Sequence, residues 1–253
     1  MERCVLVTAG ASGIGREIVL AFAAAGAKVF VCDIDGPGLD TLAKEIPGLT
    51  TKTCDIADRA DVERMVAFGV SALGGLDVLI NNAGISGPTA PVEQLDPEQW
   101  EKVVQVNLNG TFHVTQLAIP HLKKSAAGVI INMASVAGRF GYANRSPYCT
   151  TKWGLIGFTK TLAIELGEYG IRANAILPGA VDGPRLQRVF EGRAHASGQS
   201  LDEVRRAALA EQSLKRLVDP RDIAALAVFL ASDSGKSISG QMLPIDNDMQ
   251  KAS

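Results

Sequence analysis

The chain has 253 residues, 47% of them hydrophobic and 21% charged, which is enough for a sizeable core and too apolar for a disordered chain. With 25 Lys+Arg against 27 Asp+Glu, the net charge of -2 gives no broad electrostatic basis for a nucleic-acid or anionic-membrane partner. Twenty-six glycines without a repeat imply many tight turns and close backbone approaches.

Short β-branched runs alternate with helical patterns from the first residues. A strand over Arg3–Thr8 leads through a glycine-rich turn to a helix over Gly13–Ala25. A strand over Lys28–Asp33, a helix over Leu39–Glu45 and a strand over Thr50–Cys54 follow. A helix over Arg59–Leu73, a strand over Val78–Asn81 and a long helix over Pro97–Lys123 come next. Strand Gly128–Ala134, helix Pro147–Glu168 and strand Arg172–Leu177 precede an irregular stretch, and helix Pro220–Ala231 and strand Gln241–Ile245 close the chain. Several strands are continuous apolar runs, as in a parallel sheet covered on both faces. The alternation predicts a Rossmann-type, doubly wound α/β fold of about seven parallel strands, in a single domain spanning residues 1–253. The irregular stretch, residues 180–217, holds Arg185, Arg188, Arg193 and His195 in short helical patterns and reads as a substrate lid.

Cys4, Cys32, Cys54 and Cys149 show neither a CxxC spacing nor a partnering histidine motif, so buried thiols are expected rather than a disulfide or a metal site. Met1-Glu2-Arg3-Cys4 enters an apolar run at once, which leaves no room for a secretory signal. The longest stretch free of Asp, Glu, Lys and Arg, Val103–Leu122, carries Asn107, Asn109, His113, Gln116, Pro120 and His121 and makes a poor membrane span. The expectation is a cytoplasmic protein with a small-molecule substrate.

Thr8-Ala9-Gly10-Ala11-Ser12-Gly13-Ile14-Gly15 joins the first strand to the first helix. Such a turn lets bare backbone approach a pyrophosphate at the positive end of a helix. Asp33 ends the second strand 18 residues past Gly15, where a carboxylate accepts both hydroxyls of an adenosine ribose and repels a 2′-phosphate. No Arg or Lys stands in the loop or just after Asp33, so NAD is favoured over NADP. Asp33 is otherwise read as a carboxylate capping the next turn with Asp35. Asp55, in Cys54-Asp55-Ile56, is read either as an adenine ligand or as the cap of the helix near Asp58.

Tyr148 and Lys152 stand four apart at the start of a helix, on one face. A lysine cation beside a phenol favours the phenolate, which can act as a general base towards an alcohol or, protonated, as an acid towards a carbonyl.

Together these motifs resemble the short-chain dehydrogenase/reductase family in its compact branch. The resemblance runs from about Arg3 to Ile245: Thr8 through Gly15, then Asn81-Asn82-Ala83-Gly84, Asn107, Ser135, Tyr148-x-x-x-Lys152 and Pro178-Gly179, in the family's order. It implies that Tyr148 is the acid/base, that Lys152 lowers its pKa and holds the nicotinamide ribose, that Ser135 hydrogen-bonds the reacting oxygen, and that Asn107 anchors a water on the proton's route to solvent. It implies a cofactor pocket of Gly10, Ser12, Gly13, Ile14, Gly15, Asp33, Ile34, Asp55, Ile56, Asn82, Ala83 and Gly84, with Pro178, Gly179 and Val181 over the nicotinamide. The lysine six residues past the tyrosine, found in enoyl reductases, is absent: Gly154 is there. Ala9 follows the threonine where the family has glycine, Gly183 takes the place of a frequent threonine, and Asp246-Asn247-Asp248 replaces the usual pair of glycines after the last strand's aspartate.

Arg139, Arg145, Arg185 and Arg188 fall where the family places its substrate walls, alongside Ser135 and Tyr148. Guanidinium groups bind carboxylate, sulfonate or phosphate in a fork, so a small polar hydroxy compound, anionic or neutral, is expected: a hydroxy acid, sugar, sugar acid or sulfonate. The competing role for these arginines is ion pairing with Glu93, Asp182 or Glu191, or with a neighbouring subunit. Two alternative functions are a 3-oxoacyl-(acyl carrier protein) reductase, which usually draws on NADPH, and a non-catalytic dinucleotide-binding regulator. Broad apolar surface on the two long helices, including Trp100 and Trp153, suggests a homotetramer.

Overall fold

The structure, a computed structural model, describes residues 3–250. Strands β1 (Cys4–Thr8), β2 (Lys28–Asp33), β3 (Thr50–Thr53), β4 (Val78–Asn81), β5 (Val129–Met133), β6 (Arg172–Pro178) and β7 (Met242–Ile245) form one sheet. Its order is β3-β2-β1-β4-β5-β6-β7 and every pairing is parallel.

Alternate residues of each strand feed opposite faces of the sheet. Val5, Val7, Val29, Val31, Val78, Ile80, Val129 and Ile131 pack with Ile18 and Phe22 of helix α1 (Gly13–Ala24), Leu39 and Leu42 of α2 (Gly36–Glu45), and Ile223 and Leu230 of a helix over Pro220–Ala231. Leu6, Phe30, Leu79 and Ile130 pack on the other side. Their partners are Val62 and Met65 of α3 (Arg59–Leu73), Val114 and Leu122 of a helix over Thr111–Leu122, and Leu162 of a helix over Ser146–Glu165. The apolar strands are thus buried on both faces, and the chain forms a single Rossmann-type domain.

Strand order reverses between β1 and β4, so the carboxyl ends of β1, β2 and β4 converge at one edge of the domain, the place where such sheets bind ligands.

The predicted helix over Pro97–Lys123 departs from regularity. It divides into α4 (Pro97–Val104), a π-helical turn over Gln105–Gly110 and α5 (Thr111–Leu122). The π turn carries Asn107, whose side chain is pulled towards Ile85, and such turns concentrate at functional sites. Helix α6 covers Ser146–Glu165, and a 3-10 turn over Gly167–Tyr169 completes the predicted span.

The stretch between β6 and the last helix folds as α7 (Pro184–Ser197) and α8 (Leu201–Ala210), closed on each other by Phe190, Val204 and Ala208. Helix α9 (Pro220–Ala231) and β7 follow. After β7 the backbone passes through left-handed conformations at Asn247 (φ 56) and Asp248 (φ 56). Those angles explain why glycines suit these positions; Asn and Asp are the side chains that tolerate them best. The segment is held to the end of α8, with Ser213 N–H donating to Asp248 O and Leu214 N–H to Asn247 O.

Candidate active site

The glycine loop is dictated by close packing. A Cβ on Gly10 would stand 2.1 Å from Val31 Cγ2, and one on Gly15 would stand 2.1 Å from Ala9 O. Ala9 itself takes φ 54, a left-handed angle that costs an alanine on the order of 1–2 kcal/mol and a glycine little. Gly13 also takes a positive φ (53) at the start of α1. No side chain caps α1 and its first turn carries no acid, so its leading N–H groups face a space suited to an anion.

Asp33 makes the turn contact with Asp35 that the sequence suggests. Its Oδ2 accepts from Ala11 N–H (2.9 Å), tying β2 to the glycine loop, and its Oδ1 accepts from Asp35 N–H (3.1 Å). Each carboxylate oxygen keeps a lone pair for a further donor. The exposed Ile34 stands beside it. Asp55 does not cap α3: Asp58 does, accepting from Ala60 and Asp61 N–H, while Asp55 accepts only from Ala57 N–H, two residues on. Ile56 is buried and fits against Gly110, where a Cβ would approach to 2.8 Å.

Thr8 stitches the end of β4 to this loop. Its Oγ1 accepts from Asn82 N–H (3.0 Å) and Ala83 N–H (3.1 Å), and Asn82 Nδ2 donates to Thr8 O and Ala9 O. Gly84 lies between Asn107 Oδ1 and Lys152 Nζ, which a Cβ there would meet at 3.1 and 3.6 Å. Asn107 is fully buried and its side chain is fully committed: Ile85 N–H donates to Oδ1, and Nδ2 donates to Ile85 O and Thr151 Oγ1. Pro178 ends β6, Gly179 N–H donates to Ile245 O, and a Cβ on Gly179 would strike Asp246 Cα at 2.7 Å. Val181 continues in parallel against Val218. At Gly183 the backbone takes φ 146, a region that L side chains rarely adopt, which accounts for glycine where threonine was expected.

Ser135, Tyr148 and Lys152 meet at the carboxyl ends of β5 and β6. Ser135 is buried and its Oγ accepts from Ala137 N–H (3.1 Å). Lys152 Nζ donates to Met133 O (2.7 Å) and stands 5.6 Å from the Tyr148 ring centroid. Burial lowers the Lys152 ammonium to about 8, with the phenol pulling it back up. Burial also pushes the Tyr148 phenol up, but Lys152, Arg185, Ser135 and Arg145 together bring it below its ordinary value. A tyrosine tuned in this way can exchange a proton with an alcohol or carbonyl oxygen.

The arginines separate into two groups. Arg145 is buried, donates from Nη2 to Ser86 O (3.0 Å) and stands 5.2 Å above the Tyr148 ring. Arg185 stands 5.9 Å above the same ring. Arg139 is exposed and stacks on Phe140, and Arg188 is exposed on α7 without a contact to the site. No ion pair joins these arginines to Glu93, Asp182 or Glu191 among the described residues.

Two groups near the site stand out only in three dimensions. Arg193 of α7 lies 5.2 Å over the ring of Tyr142, whose hydroxyl donates to Met249 Sδ (3.1 Å). Beneath the site, Asn81 Nδ2 donates to Thr115 Oγ1 and Asn132 Oδ1, and Asn132 Nδ2 donates to Thr159 Oγ1, a buried polar chain between strands and helices. Asn residues at strand ends are the only sequence trace of that chain. Among the described residues, no group of three or more His, Cys, Asp or Glu side chains could hold a metal ion, and no helix is long and apolar enough to cross a membrane.

A family model described as Enoyl-(Acyl carrier protein) reductase matches residues 8–249. The chain is 37% identical over 248 residues to the 3-oxoacyl-[acyl-carrier-protein] reductase of Thermotoga maritima, covering 96% of both chains. It is 37% identical over 247 residues to a D-beta-hydroxybutyrate dehydrogenase of Cupriavidus necator, covering 95% of both. The fold matches the crystal structure of an actinorhodin polyketide ketoreductase with NADPH at a TM-score of 0.92 and 34% identity, over 97% of this chain and 96% of that one. The fold of this family binds a nicotinamide dinucleotide, and the relatives are named dehydrogenases and reductases. The chain therefore belongs to the short-chain dehydrogenase/reductase family and is an enzyme of that type.

Proposed function

We propose that the protein moves a hydride between NAD and the secondary alcohol or ketone of a small polar compound. The observation that carries this reading is the convergence of Ser135, Tyr148 and Lys152 at the strand ends that also present Asp33 and the glycine loop. The dinucleotide, when bound, supplies the hydride acceptor or donor. Tyr148 takes the hydroxyl proton during oxidation and returns it during reduction, with Ser135 Oγ holding the same oxygen. Lys152 lowers the phenol's pKa and reaches the ribose. Asn107 positions rather than reacts: by gripping Ile85 and Thr151 it fixes the wall against which Lys152 rests.

Asp33 supports NAD over NADP. A 2′-phosphate beside it would meet a carboxylate, and Arg16, the first arginine of α1, is already paired with Glu17 and Glu45. Adenosine contacts fall to Gly10, Ser12, Gly13, Ile14, Gly15, Ile34, Asp55 and Ile56, and nicotinamide contacts to Asn82, Ala83, Gly84, Pro178, Gly179 and Val181. Helices α7 and α8 serve as the substrate lid.

The test is a fluorescence titration of wild type and Asp33→Ala with NADH and NADPH. Wild type should prefer NADH by at least about tenfold, a difference of ~1.4 kcal/mol, and the variant should lose that preference. Tighter NADPH binding by wild type would contradict the cofactor reading. It would put first a 3-oxoacyl-thioester reductase, the reading that likeness to the Thermotoga maritima enzyme favours.

A further inference from the structure

Among the described residues, neither Arg145 nor Arg193 is ion-paired with a carboxylate. Arg145 is 5% exposed, its Nε is buried with no hydrogen-bond partner, and its Nη2 donates to the Ser86 carbonyl. Arg193 is half-buried between α7 and the Tyr142 ring. Burial disfavours both cations, and Arg193 and Arg185 disfavour the Arg145 cation further by repulsion. The groups that offset them are the Tyr148 and Tyr142 phenols and the Cys149 thiol, none of them a carboxylate. Asp246 faces Tyr142 but pairs with neither arginine, and its Oδ1 accepts from Asp248 N–H.

A buried cation left without a counter-charge is costly, and a guanidinium that keeps an unpaired N–H is a donor without an acceptor. The two groups come from different elements. Arg145 is fixed by the loop after β4, where Asn144 O also accepts from Ala90 N–H (3.0 Å). Arg193 comes from the lid, which packs on the same loop: a Cβ on Gly192 would lie 3.3 Å from Thr89 Oγ1. Lid and floor thus bring positive charge to one place beside Tyr148. Tyr142, whose hydroxyl burial pushes up to about 12, stays a protonated donor there.

We propose that Arg145 and Arg193 form an oxyanion cradle beside Tyr148, so that the substrate is a short hydroxy or keto compound bearing a carboxylate or sulfonate. This rests on the reading of the chain as a dehydrogenase whose proton donor and acceptor is Tyr148. Arg193 is a specificity residue with no part in proton transfer: unlike Arg145 and Arg185, it is not among the groups that lower the Tyr148 pKa. A purely electrostatic role for the arginines would act through Tyr148; a cradle acts on the ligand.

The test measures binding of short alkyl carboxylates and alkanesulfonates, two to five carbons long, to the enzyme saturated with NADH. The uncharged carboxamides and sulfonamides of the same length serve as controls. In wild type one anion series should bind roughly ten- to a hundredfold more tightly than its uncharged counterpart, and the better series identifies the headgroup. Arg193→Gln should abolish the preference while leaving NADH affinity and the pH dependence of turnover unchanged. Arg145→Gln should also abolish it, and the Arg193 variant decides the matter if the Arg145 variant fails to fold. Equal binding of anions and uncharged analogues by wild type, or a preference that survives Arg193→Gln, would overturn the cradle. Failure to bind NADH at all would instead count against the underlying functional reading.

Discussion

At the scale of single residues, the site is a problem in placing charge. Tyr148 has to be a phenolate to accept a proton from an alcohol and a phenol to give one to a ketone. Because its pKa is lowered by Lys152, Arg185, Ser135 and Arg145 against the opposing effect of burial, oxidation should accelerate as pH rises through the lowered pKa and then level off. Reduction should fall over the same interval. Arg185→Gln removes one lowering cation, so the rise in oxidation rate should move to higher pH, with kcat at the plateau little changed; an unmoved profile would show that Arg185 does not act on the phenol. Tyr148, Lys152 and Asp33 stood out in the sequence as candidates only through the ordered set of motifs that resembles the family. Arg193 and Tyr142 did not, because the lid's helical rotation decides which arginine turns inward. Sequence position favoured all four of Arg139, Arg145, Arg185 and Arg188, yet the fold buries Arg145 alone of them, and of the three exposed ones it brings Arg185 over the Tyr148 ring.

At the scale of elements, departures from the family's pattern coincide with backbone geometry. Gly183 stands at φ 146 just before α7, with Pro184 opening that helix. Gly183→Thr, which restores the family's residue, should destabilise the fold by about 1–3 kcal/mol, read as a lower midpoint in urea unfolding, because a β-branched residue is forced into a glycine region. Unchanged stability would mean that the lid's first turn relaxes freely. The π turn teaches a related lesson. Apolar periodicity ran unbroken from Pro97 to Lys123, so a continuous helix was the natural reading, and the extra residue in the turn appears only when Asn107 is seen reaching Ile85. Asn107→Ala should cost about 1–3 kcal/mol in the same assay, since it strands the half-buried Ile85 N–H and C=O. Strand positions were the most legible feature, because doubly buried parallel strands show as uninterrupted apolar runs such as Val5-Leu6-Val7 and Val129-Ile130-Ile131.

At the scale of the whole molecule, the alternation of strands and helices fixed the doubly wound sheet, and the sheet's reversal between β1 and β4 fixed where a dinucleotide can lie. What alternation cannot show is which helix faces remain uncovered. Phe112 (43% exposed) on α5, with Trp153 (52%) and Ile164 (83%) on α6, leave apolar surface outside the core. We expect these helices to meet those of other copies in a homotetramer. Light scattering should give about four chain masses at micromolar concentration, and a mass of one chain would refute that assembly.

The account's central claim is hydride transfer to NAD with Tyr148 as the base. Its most direct test follows NADH formation from NAD and a panel of secondary alcohols, sugars and short hydroxy acids, with wild type and Tyr148→Phe side by side. The account predicts turnover of at least one polar hydroxy compound by wild type. It predicts a loss of about a hundred- to ten-thousandfold in the variant, with NADH binding retained. Equal turnover by the two proteins would remove Tyr148 from the chemistry, and a wild type that binds NADH yet oxidises or reduces nothing would leave a dinucleotide-binding regulator in place of the enzyme.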